Sequence, residues 1–164
     1  MLWVDHMGVV ASDLNETVEF YTKLFGEPID KVSWRGDDAS NVARMMGRNE
    51  DLELDAVFFQ IPFTNTIFEV LAFHNTEQQA VVARNVDIGA THFAFYVEDI
   101  ELAISDLGLE VSGPPMDLPI GPYRGGRSVY LTDPNGANIQ LMQLAGRPGE
   151  MPVLRSGAPP SPSE

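Results

Sequence analysis

The amino-acid sequence predicts an α+β chain of two tandem βαβββ modules, over residues 1–73 and 91–145, with a linker over 74–90 and a disordered tail over 146–164. Three observations carry this. The segments "VDHMGVVASDLNETVEF" and "ATHFAFYVEDIELAISD" share one layout: a histidine inside an apolar, β-rich run, an aspartate seven residues later, then an amphipathic helical pattern. His6 thus matches His92, and Asp13 matches Asp99. The module ends match as well, since "NTIFEVLAF" resembles "GANIQLMQL" with Glu69 against Gln140. Two such halves about a pseudo-twofold axis would bring His6, Glu69, His92 and Gln140 together, a set of four metal-ligand types that needs no cysteine.

Each element has its own signal. Residues 2–10 read as a strand by β-branched content. Asp13, with Glu16 three residues on, resembles a capping box, and Leu14, Val18, Tyr21, Leu24 and Phe25 follow at helical spacing. Gly26 and Pro28 end that helix. Residues 29–35 form the next strand, and the polar stretch "GDDASNVARMMGRNED" holds a short helix at 39–46. "LELDAVFFQIP" and "TIFEVLAF" are strands joined by a turn near Pro62–Asn65. The linker has room for a short helix. In the second half "THFAFYV" is a strand, Asp99 caps a helix about a turn shorter than the first, and Gly108 stops it. "LEVSGPP", "RSVYLTD" and "ANIQLMQL" supply three strands, the last two joined by the tight turn "DPNG". Between them, "PPMDLPIGPYRGG" is a Pro/Gly-rich loop long enough to serve function. The tail is Gly, Pro and Ser with little apolar content.

Composition narrows the function. The net charge is −14, with two lysines and eight arginines against 24 acids. Such a field repels nucleic acid and anionic lipid, so neither is expected as a partner. An anionic substrate would need a local arginine cluster. There is no cysteine, which excludes disulfides and thiolate metal sites and agrees with a cytoplasmic protein. No stretch approaches a membrane span, and the first residues lack a secretory signal pattern.

A lone histidine in a strand reads first as a satisfied core residue. Here a second histidine occupies the repeat position, and both modules end in a polar residue within an apolar strand. Such groups are costly to bury without partners. Tyr123, Arg124 and Arg127 cluster beside the long loop, where two arginines three apart suit a carboxylate or phosphate, or else a strand-edge charge pair. Trp34, Phe59, Phe63 and Met45-Met46 serve either as core or as pocket wall. His74 reads as a surface or linker residue.

The motifs Asp5-His6, "SDLNETVEFYTKLFGEP", "IFEVLAF", "THFAFYVEDIE" and "VYLTDPNGANIQLMQ" resemble those of the vicinal oxygen chelate superfamily over about residues 2–145. That family includes glyoxalase I, methylmalonyl-CoA epimerase, extradiol dioxygenases, fosfomycin-modifying enzymes and metal-free drug-binding proteins. The resemblance implies a curved mixed sheet around a central cleft, and His6, Glu69, His92 and Gln140 as ligands of a divalent ion (Zn, Ni, Co, Mn, Mg or Fe). It further implies deprotonation next to a carbonyl of a small molecule with vicinal oxygens, by a metal-dependent isomerase or lyase; a homodimer is the default expectation for the assembly. Gln140 departs from the glutamate usual there, and an amide is no base. The chain instead keeps the epimerase's ligand types with acid and amide exchanged between modules, leaving Glu69 as the candidate base. The alignment with the epimerase's second glutamate falls on Val57, with Asp55 on the same face as a weaker substitute. Asp55, Phe59, Tyr123 and Arg124 are the expected substrate contacts. Two rival readings remain at this point: an iron-dependent ring-cleaving dioxygenase using His6, His92 and Glu69, and a metal-free binding protein for an aromatic or drug-like molecule.

Overall fold

The computed structural model describes residues 4–48, 52–121 and 123–145. In chain order the elements are β1 (His6–Val10), α1 (Leu14–Phe25), β2 (Asp30–Trp34), α2 (Gly36–Met45), β3 (Leu54–Gln60) and β4 (Ile67–Phe73), then β5 (His92–Tyr96), α3 (Ile100–Leu107), β6 (Met116–Asp117), β7 (Arg127–Thr132) and β8 (Asn138–Gln143). They form two four-stranded mixed sheets, ordered β1-β4-β3-β2 and β5-β8-β7-β6. The two orders are the same order repeated, so the tandem architecture is as the sequence predicts. Among the described residues no helix is long and apolar enough to cross a membrane.

The helix starts follow the predicted chemistry. The Asp13 carboxylate accepts the backbone N–H of Glu16 at 3.0 Å, and that of Asp99 accepts the N–H of Leu102 at 2.8 Å. Each satisfies a donor that the first turn of a helix leaves without a partner. Gly108 closes α3 in the left-handed conformation, φ 60° and ψ 44°, which costs a residue without Cβ little.

The chain divides into two compact units. Among the described residues, the first holds those up to Thr91 together with Thr132–Ala137, and the second holds those of His92–Leu131 and 138–145. In the first unit α1 packs on β3 and β4. Tyr21, from the helix, sits 4.3 Å from Phe68 and 5.7 Å from Phe25 between ring centroids, and Phe59 completes the cluster. Burial of these rings is the main stabilising term of this layer. The core of the second unit is smaller and aliphatic: Ile100, Val129, Leu131, Ile139 and Leu141.

A buried polar knot accompanies the aromatic core. Tyr21 donates its hydroxyl to Asp133 Oδ2 at 3.0 Å, and both residues are buried. The other oxygen of Asp133 accepts the N–H groups of Asn135 and Ala137, at 2.9 and 2.7 Å, which fixes the "DPNG" turn. Asn135 then reaches Thr17 Oγ1 and accepts from the Ser12 backbone. Burial, and then the Asp133 charge, hold the Tyr21 hydroxyl far above its usual range. Tyr21→Phe leaves the buried Asp133 Oδ2 with only the long contact from Asn135 Nδ2, 3.5 Å, and is expected to cost about 1–3 kcal/mol in urea unfolding.

Three expectations are corrected or relocated. The strand expected at "LEVSGPP" survives only as a bridge between Val111 and Leu131, and edge pairing resumes at Met116–Asp117 against Ser128 and Arg127. Gly113, Pro114 and Pro115 lie between; the prolines have no N–H to donate to a ladder. The short helix expected at 39–46 begins earlier, at Gly36, with Asp37 and Asp38 in the first turn where the helix dipole favours them. No helix forms in 74–90; Arg84 and Asp87 instead clasp each other around a turn. The expected tail, and the Leu2-Trp3 start of the first strand, lie outside the described residues.

Candidate functional site

β1 runs parallel to β4, with His6 opposite Ile67 and Gly8 opposite Glu69. Side chains alternate along a strand. His6, Gly8 and Val10 therefore share a face with Ile67, Glu69 and Leu71, while Phe68 and Val70 turn to the core under α1. On this face His6 Nε2 stands 4.0 Å from Glu69 Oε2. The other ring nitrogen, Nδ1, donates to Asp5 Oδ2 at 2.8 Å. A carboxylate only accepts, so this contact puts a proton on Nδ1 and turns Nε2 toward Glu69.

Glu69 is mostly covered, its side chain 17% exposed, and Gly8 supplies the space it occupies. A Cβ added at Gly8 would lie 3.3 Å from Glu69 Oε2. Burial raises the Glu69 pKa, opposed by the neighbouring His6. The His6 pKa is raised, chiefly by the Asp5 hydrogen bond and further by the Glu69 charge, against the effect of burial.

The second unit repeats this register. β5 runs parallel to β8, with His92 opposite Asn138 and Ala94 opposite Gln140. In each unit the histidine stands two residues before the small residue that faces the acid or amide. Gln140 donates Nε2–H to Ser128 Oγ at 2.7 Å. His92 lies edge-on to Tyr130, with centroids 5.7 Å apart and planes at 78°. Among the described residues no three His, Asp or Glu side chains are gathered into a metal-holding group. Each unit carries two of the four residues read from the sequence as metal ligands.

The expected substrate contacts separate. Phe59 pairs with Phe68 and is wholly buried under α1, so it belongs to the core and not to the face of Glu69. Asp55 lies on that same helix-side face, by alternation, opposite Ala72. It binds Arg35 Nη2 at 2.9 Å and His74 Nε2 at 2.7 Å. Hydrogen bonds from Ser33 first, then from His74 and Arg35, hold its carboxyl below its ordinary value. A carboxylate so placed is a poor proton acceptor and is on the wrong side of the sheet to assist Glu69. His74, read as a surface or linker residue, is the partner of Asp55.

Tyr123 is 39% exposed, as is Tyr96, which shares the His92 face. The Tyr96 pKa is raised by burial and then by Tyr123. Gly126, just after this loop segment, tolerates no side chain, since a Cβ there would meet Gln143 O at 2.6 Å. Arg127 is engaged by Glu101 and Asp117, so the arginine pair is divided and Arg124 stands without it. Met45, Met46 and Phe63 are exposed. Sequence reasoning missed Ser128, Tyr130, Tyr96 and Phe58. Phe58 directly faces Glu69 across β3 and β4. Alternation counted back from Gln140 and Glu69 was the available signal, and it becomes decisive only once the strand partners are known.

Comparison with known proteins extends this picture. Residues 3–141 match the sequence model of the Glyoxalase/Bleomycin resistance protein/Dioxygenase superfamily. A 2-epi-5-epi-valiolone epimerase from Actinomyces sp is 28% identical over 153 residues, covering 90% of this chain and 82% of the relative. A glyoxalase family protein from Bacillus cereus superposes with a TM-score of 0.72 at 19% identity, covering 89% of this chain and 96% of its own. A variant of the fosfomycin resistance protein FosX from Listeria monocytogenes, solved with Mn(II) and 1S,2S-dihydroxypropylphosphonic acid, gives a TM-score of 0.55 at 20% identity, over 90% and 92% of the two chains.

Proposed function

The chain belongs to the Glyoxalase/Bleomycin resistance protein/Dioxygenase superfamily, and on that footing we propose that it is a metal-dependent isomerase acting next to a carbonyl of a small molecule with vicinal oxygens. The observation that carries the reading is the repeated strand register. It sets a histidine and an acid, then a histidine and an amide, on equivalent faces of the two sheets. An epimerase among the relatives supports isomerase chemistry, and Mn(II) in FosX supports a divalent ion.

His6, Glu69, His92 and Gln140 are the proposed ligands, and the residues present fit that task. Two imidazoles, one carboxylate and one amide oxygen suit a borderline divalent cation. His6 has its Nδ1–H tied to a carboxylate, the usual outer support of a metal-bound imidazole. Neither ring nitrogen of His92 has a hydrogen-bond partner among the described residues. When bound, the ion supplies Lewis-acid stabilisation of charge developing on the substrate's carbonyl oxygen.

The remaining chemistry belongs to the chain. Glu69 accepts the proton from the carbon next to the carbonyl, since the amide at the equivalent position in the other unit cannot. Gly8 keeps space beside its Oε2, and Phe58 walls the opposite side. Inversion of the centre then takes a proton from solvent water on the opposite face of that carbon, while Glu69 releases its own proton to solvent.

Wild-type protein loaded with Mn(II), in deuterated water, is expected to exchange the proton next to the carbonyl of a hydroxyketone substrate, read by NMR. A panel of hydroxyketones that all stay unexchanged, on metal-loaded protein, contradicts the isomerase reading. Gly8→Ala pushes on Glu69 Oε2 and is expected to lower the exchange rate roughly tenfold, by misplacing the base a few tenths of an ångström.

A further inference from the structure

Gln140 poses a chemical problem. An amide presents two ends of nearly equal size, and only the oxygen is a ligand for a hard or borderline cation. A glutamine free to rotate would offer its NH₂ half the time. In the structure it is not free. Its Nε2–H donates to Ser128 Oγ at 2.7 Å, and Ser128 is 7% exposed. Ser128 lies on β7 beside β8, so this contact runs across adjacent strands of one sheet. Oε1 makes no hydrogen bond among the described residues. In the other unit Asp5 does the matching work on His6, holding Nδ1–H so that Nε2 is the nitrogen presented.

We propose that Ser128 is a positioning residue which, by accepting the Gln140 amide N–H, presents the Gln140 carbonyl oxygen as a metal ligand. The proposal rests on the metal-dependent reading above and assigns it a further residue. It explains how an amide serves where a carboxylate, symmetric in its two oxygens, would need no such orientation. As ligands, imidazoles and an amide oxygen bring no charge and a carboxylate brings one negative charge, so a divalent ion on this donor set would keep net positive charge for a substrate oxygen.

The test is Mn(II) binding to the full-length chain by calorimetry, in wild type, Ser128→Ala, Ser128→Thr, Gln140→Ala and the double variant Ser128→Ala/Gln140→Ala, with thermal unfolding run on each. Ser128→Ala is expected to weaken Mn(II) roughly tenfold, the lower end for loss of an outer support. Ser128→Thr, which keeps the hydroxyl, is expected to restore most of that affinity. In the Gln140→Ala background the Ser128→Ala change is expected to cost nothing further, because its only route to the ion is gone. Unchanged affinity in Ser128→Ala overturns the proposal while leaving the metal site standing. So does an equal loss in both backgrounds, which would mark Ser128 as merely structural. Wild-type protein that takes up no Mn(II) overturns the metal-dependent reading itself, and this proposal with it.

Discussion

Glu69→Gln is expected to lower kcat/KM for proton exchange by roughly 10²–10⁴-fold and to leave the fold at least as stable as before. The first half follows from chemistry: the substitution keeps shape and removes the proposed proton acceptor. The second follows from the electrostatics of the site. Burial raises the Glu69 pKa above that of an unfolded carboxyl, so the charged form is disfavoured in the native state. A group with a raised native pKa subtracts stability at pH values above it. Removing the charge at neutral pH is therefore neutral or stabilising. Gly8 and Phe58 face a side chain of nearly the same volume. Steady-state kinetics and a melting curve on one preparation check both halves. A drop in melting temperature alongside lost activity would mark Glu69 as a structural residue.

His6→Ala is expected to have the largest effect on metal uptake, a loss of roughly 100-fold or more in affinity, the upper end of what outer-support loss alone produces. It removes a proposed ligand nitrogen and the partner of Asp5 together. Stability should hardly move. His6 is 55% exposed and Asp5 90% exposed, and ion pairs between exposed groups contribute little. Metal affinity by calorimetry and the unfolding midpoint separate the two quantities. If Mn(II) binds His6→Ala as tightly as wild type, His6 is not a ligand.

Much of this architecture was legible because the chain repeats itself. The matched pairs His6/His92, Asp13/Asp99 and Glu69/Gln140 fixed two modules, their helix starts and the equivalence of their end strands. The parallel register then placed each pair on one face, as alternation requires. What stayed hidden depends on which strand lies beside which. Phe58 and Phe59 are adjacent and chemically identical, and only pairing with Glu69 and Phe68 shows which of them faces the site. Asp55 was drawn toward Glu69 by the same missing information, and its real partners, Arg35 and His74, lie twenty and nineteen residues away. The Tyr21–Asp133 bond spans 112 residues, and no local pattern announces it. Ser128 is one of several serines in apolar runs; nothing marks it until Gln140 is seen beside it. The Gly-Pro-Pro break at 113–115 could have been read locally, since two prolines cannot donate to a ladder, but the β-branched Val111 masked it.

The central proposal is that His6, Glu69, His92 and Gln140 serve as ligands of a divalent ion. Elemental analysis after incubation of purified protein with Mn, Co, Ni and Zn, followed by desalting, tests it most directly. The account predicts near-stoichiometric metal in the wild type and its loss in His6→Ala. Wild-type protein that stays empty with all four ions would contradict it and leave a small-molecule binding protein in place of the isomerase.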